Sequence, residues 1–374
     1  MTRSVYLDYN ATAPLRAEAR AAVVDALMET GNPSSVHRFG QAARRRVEDA
    51  RDAVAALAGV APAQVIFTSG ATEANNTVLA PGNTRRILAS AIEHDSVLAA
   101  VDAERVPVTP AGVVDLDALD AMLAASTRPA LVAVMAANNE TGVIQPVAEA
   151  AAVAHRHGAV LHCDAVQLAG KAPLDFARLG ADSLSLSAHK LGGPQAVGAL
   201  VVRDGLEVPR LLRGGGQERR RRAGTENVAG IAGFGAAARA ALAGLRAYGA
   251  LAALRDGLER RIAAACPDAM VFGQAAPRIA NTSCIVMPGV AAETQLMGFD
   301  LAGIAVSAGA ACSSGKVAAS HVLQAMGADT AAANGAVRVS LGWDTGPDDV
   351  DRFVEAWLAL YRRAAKRGGT IAAA

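Results

Sequence analysis

The chain of 374 residues is long enough for two domains and a large core. Its 36 basic and 35 acidic side chains nearly cancel, leaving a formal charge of +1, which argues against nucleic-acid or strongly acidic partners. Hydrophobic residues reach 52% but aromatics only 3%; alanine supplies much of the excess, so the composition is that of a soluble chain and not of a membrane protein.

From the amino terminus, residues 1–8 lack the apolar core of a signal peptide. Strand-like runs follow at 64–68, 86–90, 130–136, 159–164, 183–187 and 199–202, and helix-like runs at 71–79, 96–104, 116–124 and 147–157. Such alternation implies parallel strands with helices on both faces. Ligands on such sheets sit at the carboxyl ends of the strands. Thr68-Ser69, Asn138-Asn139, Asp164 and His189-Lys190 all fall at such ends. Residues 227–266 read as one long helical region closed by Pro267. Its most apolar part, 228–245, holds three glycines in its first eight residues and carries Arg239, too interrupted for a transmembrane span. A strand at 281–287, a helix at 293–299, a strand at 336–341 and an amphipathic helix at 348–363 complete the pattern. The expected division is a large domain over 13–255 and a smaller one from 1–12 with 256–374.

The four cysteines, 163, 266, 284 and 312, are widely spaced and form no C-x-x-C pair. They read as reduced thiols of a cytoplasmic protein. Cys163, Cys266 and Cys284 sit in apolar settings and read as core. Cys312 has only small neighbours, in Val306-Ser307-Ala308-Gly309-Ala310-Ala311-Cys312-Ser313-Ser314-Gly315-Lys316, and reads as an accessible nucleophilic thiol.

The motif Ser187-Ala188-His189-Lys190 ends a short apolar strand, and Gly192-Gly193-Pro194 prevents a helix from following. A lysine presented there suits condensation with a carbonyl, and Asp164 supplies a carboxylate at a neighbouring strand end. A Schiff-base lysine plus an aspartate that keeps a pyridine nitrogen protonated is the pair pyridoxal phosphate needs. Ser69-Gly70-Ala71-Thr72-Glu73, between strand and helix, offers a phosphate site or simply a capped helix start. His94 reads either as a ring-stacking acid–base group or as a helix cap. Asn139 and Gln167 can bond a phenolic oxygen, although Asn138-Asn139-Glu140-Thr141-Gly142 is also ordinary turn chemistry. The run Arg219-Arg220-Arg221-Arg222 lies in a glycine-hinged loop; without interleaved aromatics it favours phosphate or carboxylate neighbours over nucleic acid. Arg338, in an apolar strand, needs a partner: a substrate carboxylate or a structural carboxylate. His155, His157, His162 and Cys163 imitate a metal cluster, but their spacing puts them on different faces.

Taken in order along nearly the whole chain, these motifs resemble the cysteine desulfurases of the NifS/IscS type, which are class V aminotransferase-like, fold-type I enzymes. Tyr6-Leu7-Asp8-Tyr9-Asn10-Ala11-Thr12 and Gly31-Asn32-Pro33-Ser34-Ser35-Val36-His37 belong to the same resemblance. It implies a large domain with a mostly parallel seven-stranded sheet flanked by helices, a smaller α/β domain, and a homodimer. It also implies roles. Lys190 holds the cofactor and moves the α-proton, and His94 stacks on the ring. Asp164 pairs with the pyridine nitrogen, while Asn139 and Gln167 address the phenolic oxygen. Ala71, Thr72, Ser187 and His189 hold the phosphate, with Thr225 reaching in from the second subunit. Arg338 and Asn32 address the substrate, L-cysteine. Cys312 takes its sulfur as a persulfide for iron–sulfur scaffold or tRNA-thiolation proteins. The resemblance implies no stable metal site and leaves open a transient iron–sulfur ligand role for Cys312. Selenocysteine lyase, another enzyme of the same class, and a non-catalytic sulfur-relay or scaffold subunit are the competing readings. Two departures stand out: Cys163 beside Asp164, and Gln195-Ala196 where the family more often has Lys-Gly, read as a changed surface turn.

Overall fold

The computed structural model describes residues 4–80, 85–309 and 319–371, with side chains to 364. Strand β1 (Val5–Tyr6) opens the chain. The next seven strands are β2 (Val65–Thr68), β3 (Arg86–Ser90), β4 (Glu104–Val106), β5 (Ala130–Ala133), β6 (Val160–Asp164), β7 (Ser183–Ser187) and β8 (Gly198–Val202). They form one sheet in the order β2-β8-β7-β6-β5-β3-β4. Pairing is parallel from β4 through β7, but β8 runs antiparallel to both its neighbours. The reason is length. The Gly-Gly-Pro link after Lys190 is too short for a crossover helix, so the chain must turn straight back. Every other strand of this sheet points the same way, which collects their carboxyl ends along one edge.

The helical reading of 96–104 gives way to a short helix, Asp95–Leu98, and an edge strand, β4. Edge pairing with β3 offers that backbone partners that helix propensity alone does not outweigh. The expected long helix at 227–266 is three: Val228–Ala243, Leu245–Gly249 and Leu251–Ala265. The break bends the path by 63°. No single described helix is long and apolar enough to cross a membrane. Gly235 explains the packing of the first piece. A Cβ there would lie 2.6 Å from Ala50 Cα, so only glycine lets this helix press against Arg38–Ala58.

Two cores result. The larger surrounds the seven-stranded sheet, with Val54, Leu57, Leu161, Leu184 and Phe234 fully enclosed. The second contains Leu258, Phe299, Val337, Phe353 and Trp357, and takes in Val5 and Leu7 from the amino terminus. Its sheet has the order β12-β13-β10-β9, from β9 (Met270–Phe272), β10 (Thr282–Val286), β12 (Ser307–Ala308) and β13 (Ala336–Ser340). Beside it, β11 (Ile304–Ala305) pairs in parallel with β1. The arginine loop is tied to the larger core by Glu218, whose carboxylate accepts from Arg51 at 2.7 and 2.9 Å and from the Phe67 N–H at 2.9 Å. That buried, bidentate pair is geometrically the strong kind. It holds Glu218, Arg219 and Arg220 with left-handed φ angles of 44°, 54° and 65°.

Candidate active site

A cavity of about 530 Å³ opens where the strands of the larger sheet end. Residues from the amino-terminal segment (Asn10, Ala11, Thr12) and from β13 (Arg338) line it together with Lys190, Asp164, Gln167, His94 and the Ser69–Glu73 turn. Lys190 sits in a 3-10 turn directly after β7, and its Nζ donates to Asn10 O at 2.7 Å and Ala11 O at 2.9 Å.

Asp164 ends β6. Its carboxylate accepts from Asn75 Nδ2 at 2.9 Å and from the Val166 N–H at 3.0 Å. Asn75 is itself aligned by His162, whose Nε2 lies 2.9 Å from Asn75 Oδ1, while Nδ1 lies 2.9 Å from Ser183 Oγ. Because Asn75 spends its N–H groups on Asp164 and Ser96, its oxygen must accept. His162 Nε2 is therefore the protonated nitrogen of a neutral ring. Burial pushes this histidine down to about 4, against the pull of Asp164, which agrees with neutrality. The chain His162–Asn75–Asp164 holds the carboxylate in place without neutralising it.

The helix Ala71–Leu79 begins at the cavity with no side chain capping it, so its first N–H groups and dipole face an anion-binding position. Thr72, Ser187 and His189 line the cavity with it. His189 Nδ1 lies 3.1 Å from Thr12 Oγ1, and burial, then Lys190 and Lys171, bring it down to about 4. Backbone fit is tight here: a Cβ on Gly198 would meet Leu186 O at 2.5 Å and Gly70 Cα at 2.7 Å. Glu73 Oε2 accepts from the Ser69 N–H at 2.7 Å, and Glu73 pairs with Arg222 at 3.0 Å, drawing the arginine loop onto the helix start.

His94 caps a helix and also lines the cavity. Its Nδ1 accepts from the Ser96 N–H at 3.0 Å, capping Asp95–Leu98, while the ring lines the cavity. Asn138 and Asn139 divide their roles. Asn138 Oδ1 accepts from the N–H groups of Glu140 and Thr141, as turn chemistry requires, and Asn139 lines the cavity. Arg338 also does two things. Nη2 donates to Asp8 at 2.8 Å and Nη1 to Asn139 O at 3.2 Å, but its buried Nε has no partner among the described residues. A guanidinium charge at a cavity wall fits a carboxylate ligand.

Asn32 and Thr225 are exposed and do not line this cavity. Cys312 lies outside the described residues. Its flanks are described: Gly309 lines the cavity, and Ser320 Oγ donates to the buried Glu140 at 2.6 Å. Gln195 and Ala196 are more than a surface turn, since both line the cavity, and Ala196 holds φ at 57°. Glycine takes that angle freely; alanine pays about 1 kcal/mol. Cys163, Cys266 and Cys284 are buried. His155 and His157 pair with Asp182 and Asp120.

Glu93 was read only as a neighbour of His94. It is fully enclosed: Oε1 accepts from the Met135 N–H at 2.6 Å and Oε2 has no partner among the described residues. Burial, then Asp164, push its carboxyl up from 4.5 to about 8. A raised acid stabilises the fold fully below its unfolded value, and that contribution is lost as pH rises through about 8. Glu93→Gln is therefore expected to raise Tm over wild type by more at pH 9 than at pH 6. The gain at pH 9 is on the order of 1–3 kcal/mol, the cost of a stranded buried group. Thermal melts at the two pH values giving equal differences would refute this.

The class-V aminotransferase family model matches residues 5–353. A protein named cysteine desulfurase from Cereibacter sphaeroides is 46% identical over 367 residues, covering 94% of each chain. Another of that name from Klebsiella pneumoniae is 42% identical, covering 94% of this chain and 91% of its own. Among solved structures, a NifS-like protein from Rickettsia africae superposes with a TM-score of 0.90 at 33% identity, over 96% of this chain and all of the other.

Proposed function

This chain belongs to the class-V aminotransferase family, and from that premise we propose that it is a cysteine desulfurase with pyridoxal phosphate as its cofactor. One observation carries the reading. A lysine amine, an aligned carboxylate, an uncapped helix start and an arginine line the same cavity. That donor set matches the cofactor group for group: amine to aldehyde, Asp164 to ring nitrogen, helix start to phosphate. When bound, pyridoxal phosphate supplies a carbonyl that condenses with amines and a ring that accepts an electron pair.

The chain's own residues do the rest. Ala71, Thr72, Ser187 and His189 hold the phosphate. Thr225 is exposed and does not line its own chain's cavity, which supports a role for it in the cavity of a second copy. Asn139 and Gln167 serve the ring oxygen, and His94 covers the ring. Arg338 takes the substrate carboxylate. Lys190 moves the α-proton, since its amine lines the cavity and is half-buried, whereas Lys171 is enclosed. At Cys312 the substrate sulfur forms a new S–S bond as its bond to Cβ breaks. The electron pair of that C–S bond stays on carbon, which takes a proton. L-cysteine and the enzyme thiol thus become L-alanine and a persulfide, with no outside oxidant. The persulfide then passes to an iron–sulfur scaffold or another acceptor protein. Free thiols suit a reducing cytoplasm.

Purified protein given L-cysteine and a thiol reductant is expected to release alanine and sulfide in equal amounts. Sulfide without alanine, or neither product from cofactor-loaded protein, overturns the reading.

A further inference from the structure

Lys171 is enclosed to 3% exposure, and no carboxylate pairs with it among the described residues. Its Nζ donates instead to two amide oxygens, Asn10 Oδ1 at 2.6 Å and Gln167 Oε1. Burying an amine this way is costly, so its two contacts define what it does. A lysine only donates here, and an amide can present either of two isosteric ends. Lys171 takes the oxygen of each amide; it shares the Asn10 oxygen with Asn281 Nδ2 at 3.1 Å, and with Asn10 O on Nε2 it sets which way Gln167 faces.

For Asn10 the result is a fixed junction. Nδ2 donates to Asn139 O at 3.1 Å and Thr282 Oγ1 at 2.8 Å, and the backbone oxygen accepts from Lys190. For Gln167, Nε2 donates to Asn10 O at 3.0 Å, which leaves its second N–H as the polar hydrogen available at the cavity wall. We propose that Lys171 is a positioning residue for the cofactor: it holds the Gln167 carbonyl so that Gln167 presents a donor, and not an acceptor, to the ring oxygen. This rests on the cavity being the cofactor site. Lys171 bonds Gln167 directly, and the charged or titratable groups that share the cavity wall with Gln167 are Lys190, Arg338, His189, His94, Glu73 and Asp164. Burial, then Lys190 and Arg338, hold the Lys171 amine well below the ordinary lysine range.

The test is the pH titration of the visible absorption of cofactor-loaded protein. The proton that titrates is shared between the Lys190 nitrogen and the ring oxygen. A donor on that oxygen favours the deprotonated form and lowers the midpoint. In Lys171→Met the Gln167 oxygen loses its donor and the amide is held by Asn10 O alone, and the midpoint is expected to rise by up to about one pH unit, the worth of one hydrogen bond to a charged acceptor. Lys171→Gln leaves no stranded oxygen, so it keeps the fold where methionine does not. Glutamine pairs with either end of Gln167, so it too should raise the midpoint. In a Gln167→Ala background the Lys171 substitutions should add no further shift. A lower Tm with an unmoved midpoint, or shifts that simply add, would overturn the proposal. If wild type itself lacks a Lys190-dependent band, the cofactor reading fails instead, and that outcome is visible before any Lys171 variant is made.

Discussion

Lys190→Ala is expected to lower cysteine-dependent alanine release by about 10³-fold or more and to remove the visible band of the loaded protein. Proton transfer by a placed base is worth roughly 10²–10⁴-fold, and covalent retention of the cofactor is lost as well. No neighbour is placed to substitute. Lys171 is the nearest candidate amine, but it is enclosed and occupied by Asn10 and Gln167. His189 is pushed down to about 4 and is tied to Thr12, and His94 spends Nδ1 on the Ser96 cap. Turnover and an absorption spectrum check this. Retention of both by the alanine variant would remove Lys190 from the mechanism.

Cys312→Ser is expected to cut sulfide release by roughly 10³-fold, because a hydroxyl is a far weaker nucleophile toward sulfur than a thiolate. After brief exposure to L-cysteine, wild-type protein should gain the mass of one sulfur atom, mapping to Cys312, and the serine variant should not. The two variants fail differently. Lys190→Ala loses the visible band, whereas Cys312→Ser keeps it. Undiminished alanine production by Cys312→Ser, from cysteine as well as from selenocysteine, would move the reaction to a lyase in which the thiol is dispensable.

Much of the cavity is legible in the sequence because it is built from strand ends. Short apolar runs stopping at Thr68, Asp164 and Ser187 mark those ends, and the parallel arrangement aligns them. The residues that hold the site in place are less visible. Asn75 lies in an ordinary helix 89 residues from Asp164 in sequence, and nothing local signals that contact. Lys171 looks like any surface lysine until the fold encloses it. Burial is a tertiary property, so a polar residue's partner across the sheet leaves no periodicity to read. The helices Ala17–Leu27 and Arg38–Ala58 went unread, although the second carries signals at both ends: His37 accepts from the Gly40 N–H, and Gly59 takes a left-handed φ of 68°. The antiparallel turn of β8 was signalled too, by the brevity of the link through Gly192-Gly193-Pro194.

Asn10 has a consequence for how the protein is made. It leaves the ribosome 272 residues ahead of its partner Thr282 and 330 ahead of Ser340. The larger sheet can assemble first, as amino-terminal units do. Its Lys190 then waits, because the backbone oxygens of Asn10 and Ala11 that grip it are seated only when β10 and β13 arrive. A partly synthesised chain thus carries the lysine and the aspartate without a finished cavity.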